Sequence, residues 1–169
     1  PWFLGINPRG LVPVLVHNGA VHIESNDILA YLDQAFPARK LIPDVAREET
    51  LGLLREEDDL HLDLRALTMR FVIPKFLAGK KPSSLETYER TRGTVGGVPD
   101  PRKEIELGFW RDYARQGISD EHARSSARKF QKVYGALEDR LRGQPYLMGE
   151  SLSVIDIAWF IYTQRLSDA

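Results

Sequence analysis

The dipeptide Asn18-Gly19 constrains this chain more than any other feature. It stands between two short runs rich in apolar, β-branched residues, at positions 12–17 and 20–23. Both of its residues accept positive φ, so a two-residue loop joining antiparallel strands is predicted. Pro13 has no N–H to give to a ladder, which places it at the start of its strand or on an edge. Glu24-Ser25-Asn26-Asp27 then predicts a helix start, with Ser25 as N-cap and Asp27 in the first turn, where a negative charge suits the helix dipole. Ile28, Leu32 and Ala35 fall on one face of that helix, and Pro37 ends it.

The rest of the chain carries only helical periodicity. Residues 37–45 are Pro-rich and read as a linker. A long helix is predicted from about Ala46 to Val72, striped by Leu53, Leu60, Leu64, Leu67 and Phe71, with Pro74 breaking it. Glu56-Glu57-Asp58-Asp59 within it reads as a solvated face, since no histidine stands at ligand spacing. Residues 79–103 are rich in Gly, Pro and polar side chains, and Ser83-x-x-Glu86 matches a capping box that would open a short helix there. A further helix is expected from Ser119 to about Arg142, with Ala123, Ala127, Phe130, Tyr134, Leu137 and Leu141 on one face. Gly143 and Pro145 stop it. The last helix opens at Leu152-Ser153-Val154-Ile155-Asp156. A capping box is predicted between Ser153 and Asp156, with Leu152 and Ile157 packed as a hydrophobic staple.

The order hairpin, helix, linker, helices gives an α+β fold class. The boundary falls near residue 44, with a small α+β unit over 1–44 and an all-α unit over 45–169. Composition narrows the function. At 43% hydrophobic and 28% charged residues the chain has the make-up of a soluble globular domain. A net charge of −1 gives no electrostatic footprint for nucleic acid or an anionic membrane. The chain has no cysteine, hence no disulfide, thiolate metal site or cysteine nucleophile of its own. No apolar run approaches the roughly 20 residues a membrane span needs. His17, His22, His61 and His122 form no metal-binding pair, and no nucleophile elbow or phosphate loop is present.

One stretch is more specific. Residues 7–32 carry Asn7-Pro8-x-Gly10-x-Val12-Pro13-x-Leu15, then the hairpin, then Glu24-Ser25-x-x-Ile28-x-x-Tyr31-Leu32. This resembles the glutathione-binding half of the cytosolic glutathione transferases. Tyr146-Leu147-x-Gly149, Leu152-Ser153-x-x-Asp156-Ile157-Ala158 resembles the capping motif of the same family's C-terminal domain. The resemblance implies a thioredoxin-like N-terminal domain followed by a helical bundle. It implies a cis Val12–Pro13 bond that turns the Val12 backbone outward, to pair with glutathione as an added strand. Ser25 would hold the γ-glutamyl carboxylate through its N–H and hydroxyl, at the positive end of a helix. Glu24 would attract the ammonium. Val12, Pro13, Glu24 and Ser25 are therefore the expected glutathione-binding residues, with no metal.

Leu11 stands where many members carry a polar residue for the ligand's glycine end. The catalytic Tyr, Ser or Cys of the family lies in a β-α-β unit that precedes Asn7 there. The resemblance thus implies no catalytic residue among these 169, and a protein longer at both ends. The insertion at 79–118, with Val98-Pro99-x-Pro101, resembles the bacterial β-etherase type that cleaves lignin aryl ethers with glutathione, and in its position also the ganglioside-induced differentiation group. The activity implied is attack by glutathione's thiolate on a small hydrophobic electrophile, in a cytoplasmic detoxifying homodimer. Phe71, Phe76 and Trp110 are the candidates to line the electrophile pocket, with core packing the favoured alternative for each taken singly. The rival reading is a non-catalytic module of the same fold. Glu24→Ala and Ser25→Ala are expected to weaken glutathione binding with little loss of fold.

Overall fold

A computed structural model describes residues 2–73, 77, 79–90, 94, 95 and 98–168. The elements in chain order are β1 (Val14–His17), β2 (Ala20–Ile23), α1 (Ser25–Ala35), α2 (Arg47–Asp59), α3 (His61–Phe71), α4 (Pro82–Arg90), β3 (Thr94–Val95), β4 (Val98–Pro99), α5 (Pro101–Gln116), α6 (Asp120–Leu141) and α7 (Val154–Ser167), with short 3-10 turns at Phe3–Gly5, Pro37–Arg39 and Asp44–Ala46. Two compact units result. One holds residues 1–28 and 75–117, the other residues 29–74 and 118–169.

In the first unit, β1 and β2 form the expected antiparallel hairpin, in register from Val14↔Ile23 to His17↔Ala20. Asn18 and Gly19 turn it with φ of 50° and 80°, the left-handed pair that matches the twist of the strands. The first strand begins at Val14, two residues later than predicted, because Pro13 lies before the ladder in a cis Val12–Pro13 bond. The 79–103 segment holds α4, which opens at Pro82 rather than at a Ser83 cap. Proline suits the first helical position, and the Ser84 and Leu85 N–H groups both bond the Lys81 carbonyl. A two-strand ribbon, Thr94↔Pro99 and Val95↔Val98, leads to α5. Asp100 caps α5 through the Arg102 N–H at 3.2 Å.

In the second unit, α3 packs against α6 and α7, and α2 against α7. Leu53, Leu60, Leu64 and Leu67 are buried as the stripe predicts, and Phe71 is 57% exposed. The single long helix is instead two. Leu60, with φ −90° and ψ 1°, interrupts it, and its N–H turns to the Glu57 and Asp58 carbonyls. The apolar stripe continues through that break, so periodicity could not show it. Glu57 is buried rather than solvated. It bonds the Tyr162 phenol, which burial and the Glu57 charge hold well above the usual tyrosine range.

The α6 face is buried at Ala123, Ser126, Phe130 and Leu137, whereas Ala127 and Leu141 are exposed. Ser126 takes the inner position because its hydroxyl donates to the buried Asp63 carboxylate at 2.7 Å, which Lys129 also holds at 2.8 Å. Phe130, Tyr134, Trp159 and Tyr162 form a chain of tilted and edge-on rings. Residues 37–45 are docked rather than a loose linker. Asp33 Oδ1 accepts from the Leu41 and Ile42 N–H groups at 2.6 and 3.0 Å, and Ile42 is fully buried. The Leu41 carbonyl accepts from the Val154 N–H at 2.9 Å.

That contact meets the start of α7, where the predicted capping box is present. The Asp156 carboxylate accepts from the Ser153 N–H at 2.8 Å and the Ser153 hydroxyl at 2.6 Å, and from the Leu147 N–H at 2.8 Å. Leu152, expected to form a staple with Ile157, is 47% exposed.

Candidate functional site: the Glu24-Ser25 corner

The corner begins with the Asn7-Pro8-Arg9-Gly10 turn. Asn7 is buried, and its side chain closes the turn by accepting from the Arg9 N–H at 3.0 Å and donating to the Leu11 carbonyl at 2.7 Å. Gly10 has φ +64°. A Cβ there would stand 3.0 Å from Leu4 and 3.3 Å from the Tyr88 ring, so both conformation and space call for glycine. The backbone then passes Val12, which is 79% exposed, into β1. The Val12–Pro13 bond is cis, as the resemblance implied.

Glu24 links β2 to α1. Its φ is +73°, a region uncommon for a residue with a side chain. The Ile28 N–H bonds its carbonyl at 3.0 Å, which makes Glu24 the flanking residue and Ser25 the first residue of the helix. Ser25 is thus one position further into the helix than predicted, and it is exposed. Its N–H belongs to the first turn, where backbone donors have no partner within the helix. The Glu24 carboxylate faces two arginines. Arg9 Nη1 donates to one oxygen, and Arg102 Nη1 donates to the other at 2.6 Å.

Arg9 is the hub. Its side chain is 12% exposed, and besides Glu24 it forks onto Asp100, whose side chain is 4% exposed. Nε bonds Oδ2 and Nη2 bonds Oδ1 at 3.0 Å. A guanidinium offers this two-pronged geometry and an ammonium does not. Burial disfavours the Arg9 charge, but hydrogen bonds to Asp100 and Glu24 and their charges outweigh it, raising its pKa. Burial likewise opposes the Asp100 charge, yet the bonds from Arg9 and the Arg102 N–H hold its carboxyl below the usual carboxylate range. Tyr88 on α4 donates to the Arg9 carbonyl at 2.6 Å, and the Lys103 ammonium lies 4.8 Å from the Tyr88 ring centre. The segment between 82 and 116 therefore grips Arg9 at its backbone and at its side chain.

Of the expected site residues, Glu24 and Ser25 are adjacent at the head of α1, and Val12 and Pro13 lead into the strand of the same unit. Arg9, Asp100 and Arg102 were not foreseen. Glu24 holds two arginines, so Glu24→Ala removes two ion pairs along with the expected ligand contact. Trp110 is buried in the first unit, Phe71 is an exposed residue of the second, and Phe76 lies outside the described residues. Among the described residues no group of three or more His, Asp or Glu is placed to hold a metal ion. No helix among them is long and apolar enough to cross a membrane.

Residues 1–40 match the family model of the glutathione S-transferase N-terminal domain. Over 168 residues the chain is 31% identical to Protein LigF of Sphingobium sp. (strain NBRC 103272 / SYK-6), a match that covers 98% of this chain and 63% of that protein. The chain is thus similar to the glutathione S-transferases in its first 40 residues and to one relative along nearly its whole length. Its structure superimposes on that of the β-etherase LigF from Sphingobium sp. strain SYK-6 with a TM-score of 0.73 and 32% identity, over 96% of this chain and 65% of that one. A glutathione S-transferase from Rhodospirillum rubrum F11 shares the fold, with a TM-score of 0.56 at 21% identity over 98% of this chain and 60% of that one. The chain spans less than two thirds of the length of these relatives. The fold class is α+β, a thioredoxin-like N-terminal domain followed by an all-α domain. Glutathione is the cosubstrate of the family.

Proposed function

We propose that this chain binds glutathione through Val12, Pro13, Glu24 and Ser25, and that the protein directs the bound thiolate at an electrophilic carbon, as in the cleavage of a β-aryl ether. The observation that carries this reading is the Glu24-Ser25 corner. An acid at positive φ sits beside a serine whose N–H opens a helix, so an anion-binding helix end and a cation-binding carboxylate lie on adjacent residues. That arrangement suits a group bearing both charges on one carbon, as the γ-glutamyl end does. The similarity to a β-etherase, over 96% of this chain, supports an aryl ether as the electrophile. A domain boundary near residue 44, a homodimer and a cytoplasmic location belong to the same reading.

Catalysis in this scheme lowers the barrier in two ways. Holding the thiol against the electrophile removes translational freedom from the reaction. A hydrogen bond to the sulfur shifts the thiol from its ordinary pKa of about 8.5 toward thiolate at neutral pH. The test is release of the phenol from a β-aryl ether by the purified protein, with and without glutathione. Glutathione-dependent release supports the etherase reading. Conjugation of an aryl halide without ether cleavage keeps the transferase and rejects that electrophile. A glutathione-dependent rise in melting temperature with neither reaction leaves the binding module. No thermal shift and no turnover overturns the proposal.

A further inference from the structure

We propose that Arg102 binds the α-carboxylate of the γ-glutamyl group alongside Ser25, so that the corner selects an intact α-amino-acid zwitterion. The inference rests on the glutathione reading above and adds to it a recognition residue from the α4–α5 insertion.

Three observations converge on Arg102. The first is position. Its Nη1 stands 2.6 Å from Glu24 Oε2, so a cation lies within a carboxylate's width of the acid expected to hold the ligand's ammonium. The two residues are 78 positions apart and belong to one compact unit. The second is access. Arg9 is enclosed and forked onto Asp100, whereas the Arg102 side chain is 46% exposed. A ligand can reach Arg102 without dismantling the buried pair.

The third is local cost. Arg102 follows Pro101 in the first turn of α5, where the helix dipole favours acids and disfavours a cation. A residue that breaks a local rule is expected where its charge is used for something else. Its backbone N–H is held by Asp100, so the side chain leaves a fixed point.

The charge balance points the same way. Arg9, Arg102, Glu24 and Asp100 carry two positive and two negative charges, so the cluster is neutral, as the zwitterion is. Without Arg102 it carries a net negative charge, which repels the ligand's carboxylate. A carboxylate accepts through two oxygens and several lone pairs, enough for the Ser25 donors and a guanidinium together. When the ligand binds, Glu24 turns part of its charge to the ammonium, and Arg102 turns from Glu24 toward the carboxylate.

The experiment is a cycle of two proteins and two ligands, read by titration calorimetry. The ligands are glutathione and its analogue lacking the α-carboxylate, with γ-aminobutyrate in place of γ-glutamate. The proteins are wild type and Arg102→Ala, with Arg102→Lys as a charge-preserving control and a melting curve for each. For Arg102→Ala a loss of about tenfold to a hundredfold in glutathione affinity is expected, with the decarboxylated analogue changed by less than about threefold. Arg102→Lys should recover part of the loss. An equal loss for both ligands, or no loss for glutathione, overturns the role of Arg102 while leaving glutathione binding intact. Failure of the wild type to bind glutathione is a different result, and it removes the underlying reading.

Discussion

Asp100 is the residue through which the α4–α5 segment holds the corner, and its replacement separates two contributions. Asp100 accepts both prongs of Arg9 and also caps α5 through the Arg102 N–H. Asp100→Asn keeps the size and a good cap but loses the charge and one of the acceptor oxygens. Asp100→Ala loses the cap as well. Hydrogen bonds involving a charged group contribute about 1.5–3 kcal/mol, more than a surface ion pair, because both side chains are largely enclosed. An N-cap contributes about 1 kcal/mol. Urea unfolding at neutral pH should then show Asp100→Asn destabilised by about 1.5–3 kcal/mol and Asp100→Ala by about 1 kcal/mol more.

The pH dependence follows from the sign of the Asp100 shift. Its carboxyl is depressed on folding, so its contribution is complete above roughly pH 5 and lost as pH falls through the folded-state value. Asp100→Asn should therefore flatten the acid limb of the stability curve. An Asp100→Asn protein within about 0.5 kcal/mol of wild type at neutral pH, the range of an ordinary surface substitution, would refute the claim that Arg9 is held by this fork.

Other outcomes test separate parts of the structure. Ser153→Ala should cost about 1 kcal/mol by opening the box at the head of α7, with glutathione affinity unchanged, checked by melting and calorimetry on the same sample. Asp63→Ala should cost about 1–3 kcal/mol, because the buried Ser126 hydroxyl loses its acceptor while Lys129 turns to water. Tyr88→Phe removes one hydrogen bond to the Arg9 carbonyl and should cost about 1 kcal/mol, read as a shift in the urea midpoint at constant slope.

How much of this was legible depends on sequence separation. The hairpin was, since Asn18 and Gly19 carry their own backbone preference and the flanking runs are rich in apolar, β-branched residues. The box at Ser153 and Asp156 was, because both partners sit three residues apart. Helix ends and breaks were less so. Leu60 is apolar on either reading and gives no sign of the interruption between α2 and α3. Residues 37–45 look like a linker by composition, and it takes the Asp33 carboxylate, meeting two backbone N–H groups eight and nine residues on, and the Leu41 carbonyl, meeting Val154, to show them docked.

The corner itself divides the same way. Glu24 and Ser25 stand out through the motif that surrounds them, but their charge partners do not. Arg9 meets Asp100 across 91 residues and Arg102 meets Glu24 across 78, and no periodicity or spacing links such positions. The signal that was available was indirect. An arginine just after Asp-Pro, in the first turn of a helix, is locally unfavourable and asks for a distant acid. Glu57 reads as solvated and Ser126 goes unnoticed for a related reason, as a buried polar side chain is identified by its partner and not by its own neighbours in sequence.

The central claim is that the Glu24-Ser25 corner holds the γ-glutamyl end of glutathione. Calorimetric titration of glutathione into wild type, Ser25→Ala and Glu24→Gln tests it most directly, with Glu24→Gln chosen to keep the size and one of the two arginine hydrogen bonds. Measurable binding by wild type is expected, weakened about tenfold to a hundredfold in each variant while both remain folded at the titration temperature. Equal affinity in all three proteins would contradict the account and move the site elsewhere in the chain.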